Sequence, residues 1–440
     1  MRLLLLLLLV VALAAAVVWL TGAKPVVRPG AVKTIGKSTP VVVQVTGANG
    51  VRWFRARLEQ AGVSQTLVEE ATSAARWKFW RLRRREREYR FLAGRDRLPA
   101  LKDGPARLVL EASSDDWRSS TTAVALDITV RTTPPALRVD QEERSIQQGG
   151  SGLLVFTTDA PHSGVRLGAY EFRSWPVAGA APNLRLALIA FPYELSPATT
   201  PLVWARDEAG NEAAATFPLR VASRKFRQRD LVLTPEFLEQ VMNQFPPRTG
   251  DLLGDFLRIN RQLRQQNNQR LSQLRVQTEP RLLWSKPFRQ MVDSKVEARF
   301  ADHRRYFHQG VKVDEQDHLG FDLAATANAA VRAANDGKVV FAGWLGIYGN
   351  CVVIDHGCAL QSIYGHLSAV AVKPGQQVSQ GEPIGRTGAT GLAGGDHLHF
   401  SMQVDGVQVN PVEWWDPRWL RDRIWSKLPA GAAAAGVAAP

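Results

Sequence analysis

Between Asp336 and Gly381 the chain returns roughly every ten residues to a turn former: Asp336-Gly337, Tyr348-Gly349-Asn350, His356-Gly357, Pro374-Gly375 and Gly381. Short runs rich in β-branched and apolar residues lie between them. This is the signature of an antiparallel sheet or barrel. The chain upstream is punctuated in a similar way. Runs such as Val41 to Val45, Ala106 to Ala112 and Thr122 to Val130 alternate with Gly, Asp and Ser turns, and a break falls at Thr132-Thr133-Pro134-Pro135. The segments on either side end alike, with a strand, an Asp-bearing polar turn and a closing strand at Val130 and again at Val221. A repeat of roughly ninety residues is the size of one immunoglobulin-like sandwich. The second of these turns is Asp207-Glu208-Ala209-Gly210-Asn211.

The fold expected is mainly β. An N-terminal membrane helix (1–22) and a Lys/Pro/Gly tether (23–40) lead into two immunoglobulin-like β-sandwiches (41–132 and 133–224). A short helical connector (230–280), an antiparallel β-sheet domain (282–416), and a C-terminal helix with an Ala-rich tail (417–440) follow. In the connector, Thr234 is placed to cap a helix that starts at Pro235 and carries Leu238, Val241, Met242 and Phe245 at helical spacing. A longer polar helix with a narrow leucine stripe is expected from Asp251 to Arg275.

The amino terminus sets the expected compartment. Leu3 to Leu20 is an unbroken apolar run whose helix would span about 27 Å, close to the hydrocarbon thickness of a bilayer. Its length favours an uncleaved anchor over a cleaved signal segment. Arg2 ahead of the run keeps the amino end cytoplasmic, so a single-pass inner-membrane protein with its C-terminal part periplasmic is expected. Export removes nucleic acid from the candidate partners. The net charge of +14 then points to anionic lipid or wall polymer. The segment Arg76 to Arg90, with eight Lys/Arg and four aromatics, is the candidate patch for such a surface. An exposed, merely solvated segment explains it as well. Between Val296 and Asp416, eight Lys/Arg stand against thirteen Asp/Glu, so the basicity belongs to the remainder of the chain.

Two cysteines, Cys351 and Cys358, exclude a disulfide-stapled scaffold and any site built of several thiolates. Histidine is the informative residue, because seven of the eight lie between His303 and His399. His397 and His399, two apart in a β-type run, project from one face of a strand. His318 and Asp322 are also an even interval apart and can converge. Two imidazoles and one carboxylate suit Zn²⁺ with a coordination position left open, whereas a closed structural site wants four protein ligands.

The segments "HLGFDLA", "YGNCVVIDHG", "YGHLS", "VKPGQQVSQGEPIGRTGATG" and "GDHLHFSM" resemble the catalytic domain of the lysostaphin-type, LytM-like zinc metallopeptidases that cut peptide cross-links of bacterial peptidoglycan. The resemblance runs from Arg299 to Pro411. It implies one Zn²⁺ per chain held by His318, Asp322 and His399, with His366 and His397 as the catalytic pair, one taking a proton and the other stabilising the oxyanion. Tyr306 and Tyr348 are further candidates near the oxyanion. His356 is expected to be structural, His303 and His308 to lie at the surface, and His162 to stand apart. The function implied is a membrane-anchored zinc endopeptidase acting on peptidoglycan stem peptides. The alternative is a catalytically silent LytM-like activator of a cell-wall amidase.

Overall fold

In the computed structural model, residues 22–72, 86–116 and 118–429 are described. The anchor expected at Leu3–Leu20, most of the basic segment Arg76–Arg90 and the Ala-rich tail lie outside these residues. Among the described residues no helix is long and apolar enough to cross a membrane. The chain divides into two compact units. One holds the chain up to Pro135 together with Arg206–Ala213, and the other holds Ala136–Ala205 and everything from Ala214 onward.

The first unit is a two-sheet β structure. Thr39–Thr46 alternates buried and exposed residues, so Val41, Val43 and Val45 face inward while Val42 and Gln44 face out. These valines share one core with Phe54, Ala56, Leu58, Leu108 and Leu110 of the facing five-stranded sheet. The described end of the basic segment belongs to a strand, Glu86–Ala93, paired along Thr39–Thr46. There Tyr89 is buried and stacks on Phe54 at 4.2 Å. For that part, therefore, the side chains alternate between core and solvent, as in any strand with one face on a core.

In the second unit, the sheet containing Ser151–Thr158 and Leu184–Ala190 packs into a hydrophobic core that continues into the C-terminal domain. Leu153, Phe156 and Leu188 belong to the same cluster as Trp284, Phe321, Phe400 and Trp414. Polar groups close the joint. The Glu143 carboxylate, 1% exposed, accepts from Arg423 Nη1 at 2.8 Å and Lys427 Nζ at 2.6 Å. The backbone N–H of Ser151 donates to Glu413 Oε2 at 2.7 Å. Charges buried this deeply persist only when paired and hydrogen-bonded.

The C-terminal sheet runs antiparallel in the order Lys295–Ala298, Phe321–Ala324, Leu398–Val404, Leu360–Leu367, Asn350–Asp355, Gly337–Trp344 and Gln377–Val378. Beside it stands a three-stranded sheet in which Gln228–Val232, at the start of the stretch expected to be helical, pairs parallel with Asp302–His308. Three helices follow. Helix α1 (Pro235–Met242) is capped by Thr234, whose hydroxyl accepts from Phe237 N. Helices α2 (Leu252–Arg258) and α3 (Arg264–Gln273) are joined by a π-turn, Ile259–Leu263. Their apolar stripe, Phe256, Ile259, Leu271 and Leu274, packs on Tyr306, Ile347, Tyr348 and Val353. The many amides fix the docking: Asn260 donates to Asp314, Asn267 accepts from the Ile347 N–H, and Gln244 both donates to Ala389 O and accepts from Gly391 N.

Candidate active site

Three strand ends assemble the site. His399 lies in Leu398–Val404, directly opposite Asp322 on one side and Gly365 on the other. His318 closes the strand Val311–His318, and the chain turns back through Leu319 and Gly320 to bring Asp322 beneath it. Glycine is required in that turn. A Cβ at Gly320 would sit 2.5 Å from Ser401 Oγ and 2.6 Å from Cε1 of His399.

The distances within the group are short. His318 Nε2 is 2.9 Å from Asp322 Oδ1 and 3.0 Å from His399 Nδ1, and His399 Nδ1 is 3.1 Å from Asp322 Oδ1. The protons can be located from the outer partners. His318 Nδ1 faces the carbonyl of Arg299 at 3.0 Å, and a carbonyl only accepts, so the ring N–H is on Nδ1. Ser401 Oγ donates to Leu319 O at 2.7 Å and must therefore accept from His399 Nε2 at 2.9 Å. That leaves His318 Nε2 and His399 Nδ1 as bare lone pairs facing a carboxylate oxygen, with no proton among the three. Such a cluster repels itself unless a cation sits at its centre. Donor atoms sharing one zinc at ~2.0 Å must themselves lie roughly 3–3.5 Å apart, so the residues fit the ion that their chemistry implies.

The electrostatics agree. Burial pushes the Asp322 pKa up, but His318 and the Arg304 guanidinium outweigh it and hold the carboxyl well below its usual range. Arg304 Nη2 bonds Asp322 Oδ2 at 2.7 Å. Burial, with Arg304 adding to it, lowers His318 to about 4, and burial lowers His399 as well, so both imidazoles are neutral near pH 7.

His366 and His397 stand beside this group with ring centroids 4.8 Å apart. His366 has a left-handed backbone, φ 62°, uncommon for a residue with a Cβ. Its Nδ1 lies 2.8 Å from Thr390 O, and His397 Nδ1 lies 2.8 Å from Gly395 O. Each Nδ1–H therefore points outward at a carbonyl, and each Nε2 is left for the cavity. Burial, aided by His397 and His399, drives the His366 pKa well below its ordinary value. Burial also depresses His397, but the Asp322 carboxylate 3.5 Å away overrides it and raises the pKa.

All five histidine and aspartate candidates line one cavity of about 220 Å³. Tyr306 and Tyr348 line it too. The Tyr348 hydroxyl donates to Asn268 Oδ1 at 2.9 Å, and its ring lies 5.3 Å from that of His399. The other histidines fall elsewhere. His356 is buried between Asp336 O and Ser362 Oγ, His303 bonds Asp317, and His162 is exposed. Cys351 and Cys358 are both free and buried, with thiols pushed up by burial. Nothing in the sequence separates Arg304 from its neighbour Arg305, which pairs with Asp230 at the surface. Only the strand register turns the one inward and the other out. The far wall, with Phe237 of α1, Phe256 of α2, and Arg264 and Asn268 of α3, likewise has no motif to announce it.

Residues 316–411 match the family described as Peptidase family M23. The chain carries an M23 peptidase domain. Members of this family are zinc metallopeptidases. Over 95 residues the chain is 44% identical to the DD-carboxypeptidase/endopeptidase Mpg of Neisseria meningitidis serogroup B, a match covering 22% of each chain. It is 38% identical to the murein hydrolase activator EnvC of Escherichia coli, over 22% of this chain and 23% of that one. The match to these relatives spans about a fifth of their length. Among solved structures, the catalytic domain of lysostaphin from Staphylococcus simulans is 28% identical with a TM-score of 0.24, covering 28% of this chain and 92% of that one. His318, Asp322, His366, His397 and His399 all fall inside the M23 domain. Arg229, Arg264 and Arg304 fall outside it.

Proposed function

We propose that this protein is a zinc metalloendopeptidase of the bacterial envelope that hydrolyses peptide cross-links of peptidoglycan. In this reading His318, Asp322 and His399 hold one Zn²⁺. The observation that carries it is the convergence of His318 Nε2, His399 Nδ1 and Asp322 Oδ1 within 3.1 Å of one another. When bound, the ion supplies Lewis-acid chemistry, withdrawing electron density from oxygen atoms that reach it. The chain's own residues do the rest. His366 and His397 present Nε2 to the cavity: one takes a proton from the attacking water, and the other, protonated, donates to the oxyanion as charge develops on the carbonyl oxygen. Water adds across the amide, the C–N bond breaks, the carbonyl side leaves as a carboxylate, and the nitrogen takes a proton to leave as an amine. Tyr348, Phe256 and Phe237 wall the cavity. Anchoring by Leu3–Leu20 would hold the domain on the periplasmic side of the inner membrane.

Substitution His399→Ala is expected to remove bound zinc, from one ion per chain to none by mass spectrometry, and hydrolysis of purified cell wall with it. Full hydrolysis by the variant would overturn the proposal. The similarity to EnvC supports a second reading, a non-hydrolytic activator. A purified chain that binds no zinc and cuts no wall, yet stimulates an amidase, would establish it.

A further inference from the structure

The cavity is more cationic than a site for a neutral amide needs to be. Arg229, Arg264 and Arg304 line it against two carboxylates, Asp317 and Asp322. Arg304 is committed to Asp322. Asp317 is held by Tyr193, whose hydroxyl donates at 2.9 Å, and by His303 Nδ1 at 2.8 Å. Arg229 and Arg264 remain. Arg229 sits opposite Arg304 in the parallel pairing of Gln228–Val232 with Asp302–His308, on the face that presents Leu231 and Tyr306 to the cavity. It donates to a backbone carbonyl, Glu297 O, at 2.9 Å, while the Glu297 carboxylate is paired with Lys295. Arg264, at the start of α3, donates to the carbonyl and side chain of Asn260. Among the described residues neither forms an ion pair, although each guanidinium carries five N–H donors.

Two such half-buried cations lining the cavity, of which Arg229 also acts on the Glu297 carboxylate, favour an anion as their partner there. If the substrate is a peptide, as the proposed function holds, that anion is a carboxylate. Both arginines line the same cavity as His318, Asp322 and His399, so the carboxylate they bind must lie beside the scissile amide. On the acyl side the α-carboxyl is consumed in the amide itself. On the amine side it survives whenever that residue ends the chain, or when a diamino acid is acylated on the amino group next to its free carboxyl.

We propose that Arg229 and Arg264 are specificity-determining residues that bind a free carboxylate on the carbon attached to the scissile nitrogen. The shared chemistry covers two sources, a chain terminus and a cross-link. The inference rests on the peptidase reading for its hydrolytic arm and on binding alone for its second.

The test uses the zinc-loaded full chain and four peptides: a linear peptide ending in D-alanyl-D-alanine, a cross-linked dimer with a free carboxylate beside the link, and the carboxamide of each. A charge-assisted bidentate contact of this kind corresponds to an acid-over-amide preference of about 10- to 100-fold in kcat/KM. Arg229→Gln and Arg264→Gln should each reduce that ratio, and the double variant should bring it towards one. Arg229→Lys, which keeps the charge, should retain part of it. Calorimetry on the metal-free chain should show the same acid preference in binding, and the same loss in the double variant. Zinc stoichiometry and circular dichroism check that the variants fold. Which acid peptide is cut identifies the source. Equal treatment of acid and amide by the wild-type chain, or an undiminished preference in the double variant, overturns the proposal. Acid-selective binding that depends on both arginines, without cleavage of any peptide, leaves the carboxylate site standing and sinks the peptidase reading.

Discussion

Glu413 offers a quantitative check on how the second unit is held together. Its carboxyl is buried where the chain from Ser151 meets helix α4 (Val412–Trp415), accepting the Ser151 N–H at 2.7 Å. Burial, with the Glu143 charge adding to it, raises its pKa from 4.5 to about 8. In the folded state the group is therefore protonated over a pH range in which the unfolded chain has already released the proton. The folded state binds more protons there, so stability must fall as pH rises from about 4.5 to about 8. Each tenfold difference in proton affinity between the folded and unfolded chain corresponds to about 1.36 kcal/mol. Between pH 5 and pH 8 the folded-state penalty grows by about 3 kcal/mol once partial ionisation at both ends is included. Glu413→Gln keeps an acceptor for Ser151 and abolishes the titration. Urea denaturation of chelator-treated protein, followed through the fluorescence of the Trp284, Trp414 and Trp425 cluster, should show the variant gaining on the wild type by about 3 kcal/mol across that range. The difference between the two proteins cancels other titrations, including Asp355, which burial raises to about 7. A difference that stays constant within about 0.5 kcal/mol between pH 5 and pH 8 would refute the assignment of the cost to Glu413.

The remaining predictions concern the metal group. Ser401→Ala removes the acceptor of His399 Nε2–H and the relay to Leu319 O, and should weaken zinc binding by about 10- to 100-fold in chelator competition. Gly320→Ala places a methyl group 2.5–2.7 Å from Ser401 Oγ and the His399 ring. It should therefore lower zinc affinity by a similar factor while the tryptophan fluorescence of the core is unchanged.

Part of the histidine pattern was legible from local spacing, and the rest came from the resemblance to the LytM-like peptidases. The interval from His318 to Asp322 suggested that these two could converge, and that from His397 to His399 that both share a strand face, but His399 meets Asp322 only through strand pairing across 77 residues of chain. The polar helices were legible as helices, since Thr234 caps and Pro235 begins α1 as the sequence suggested. Gln228–Val232 was not legible as a strand. Its partner, Asp302–His308, lies some seventy residues away and pairs in parallel, a contact no local periodicity encodes. The segments expected to form separate modules from 133 to 224 and from 282 to 416 instead share one core in the structure. Trp284 and Trp414 read as ordinary apolar residues until the fold stacks them at 5.7 Å.

By itself the sequence determined the β architecture of the C-terminal domain and that His397 and His399 share a strand face, because strand alternation dictates which side chains lie together; the choice of His318, Asp322 and His399 as a ligand set came from the family resemblance. Only the tertiary structure decided where the protons reside. That depends on Arg299 O, Ser401, Thr390 O and Gly395 O, partners set by packing at distances along the chain from two residues to twenty-four. It alone also decided that three arginines from outside the M23 domain surround the same cavity, since the inward or outward sense of a side chain follows from register between strands far apart in the sequence.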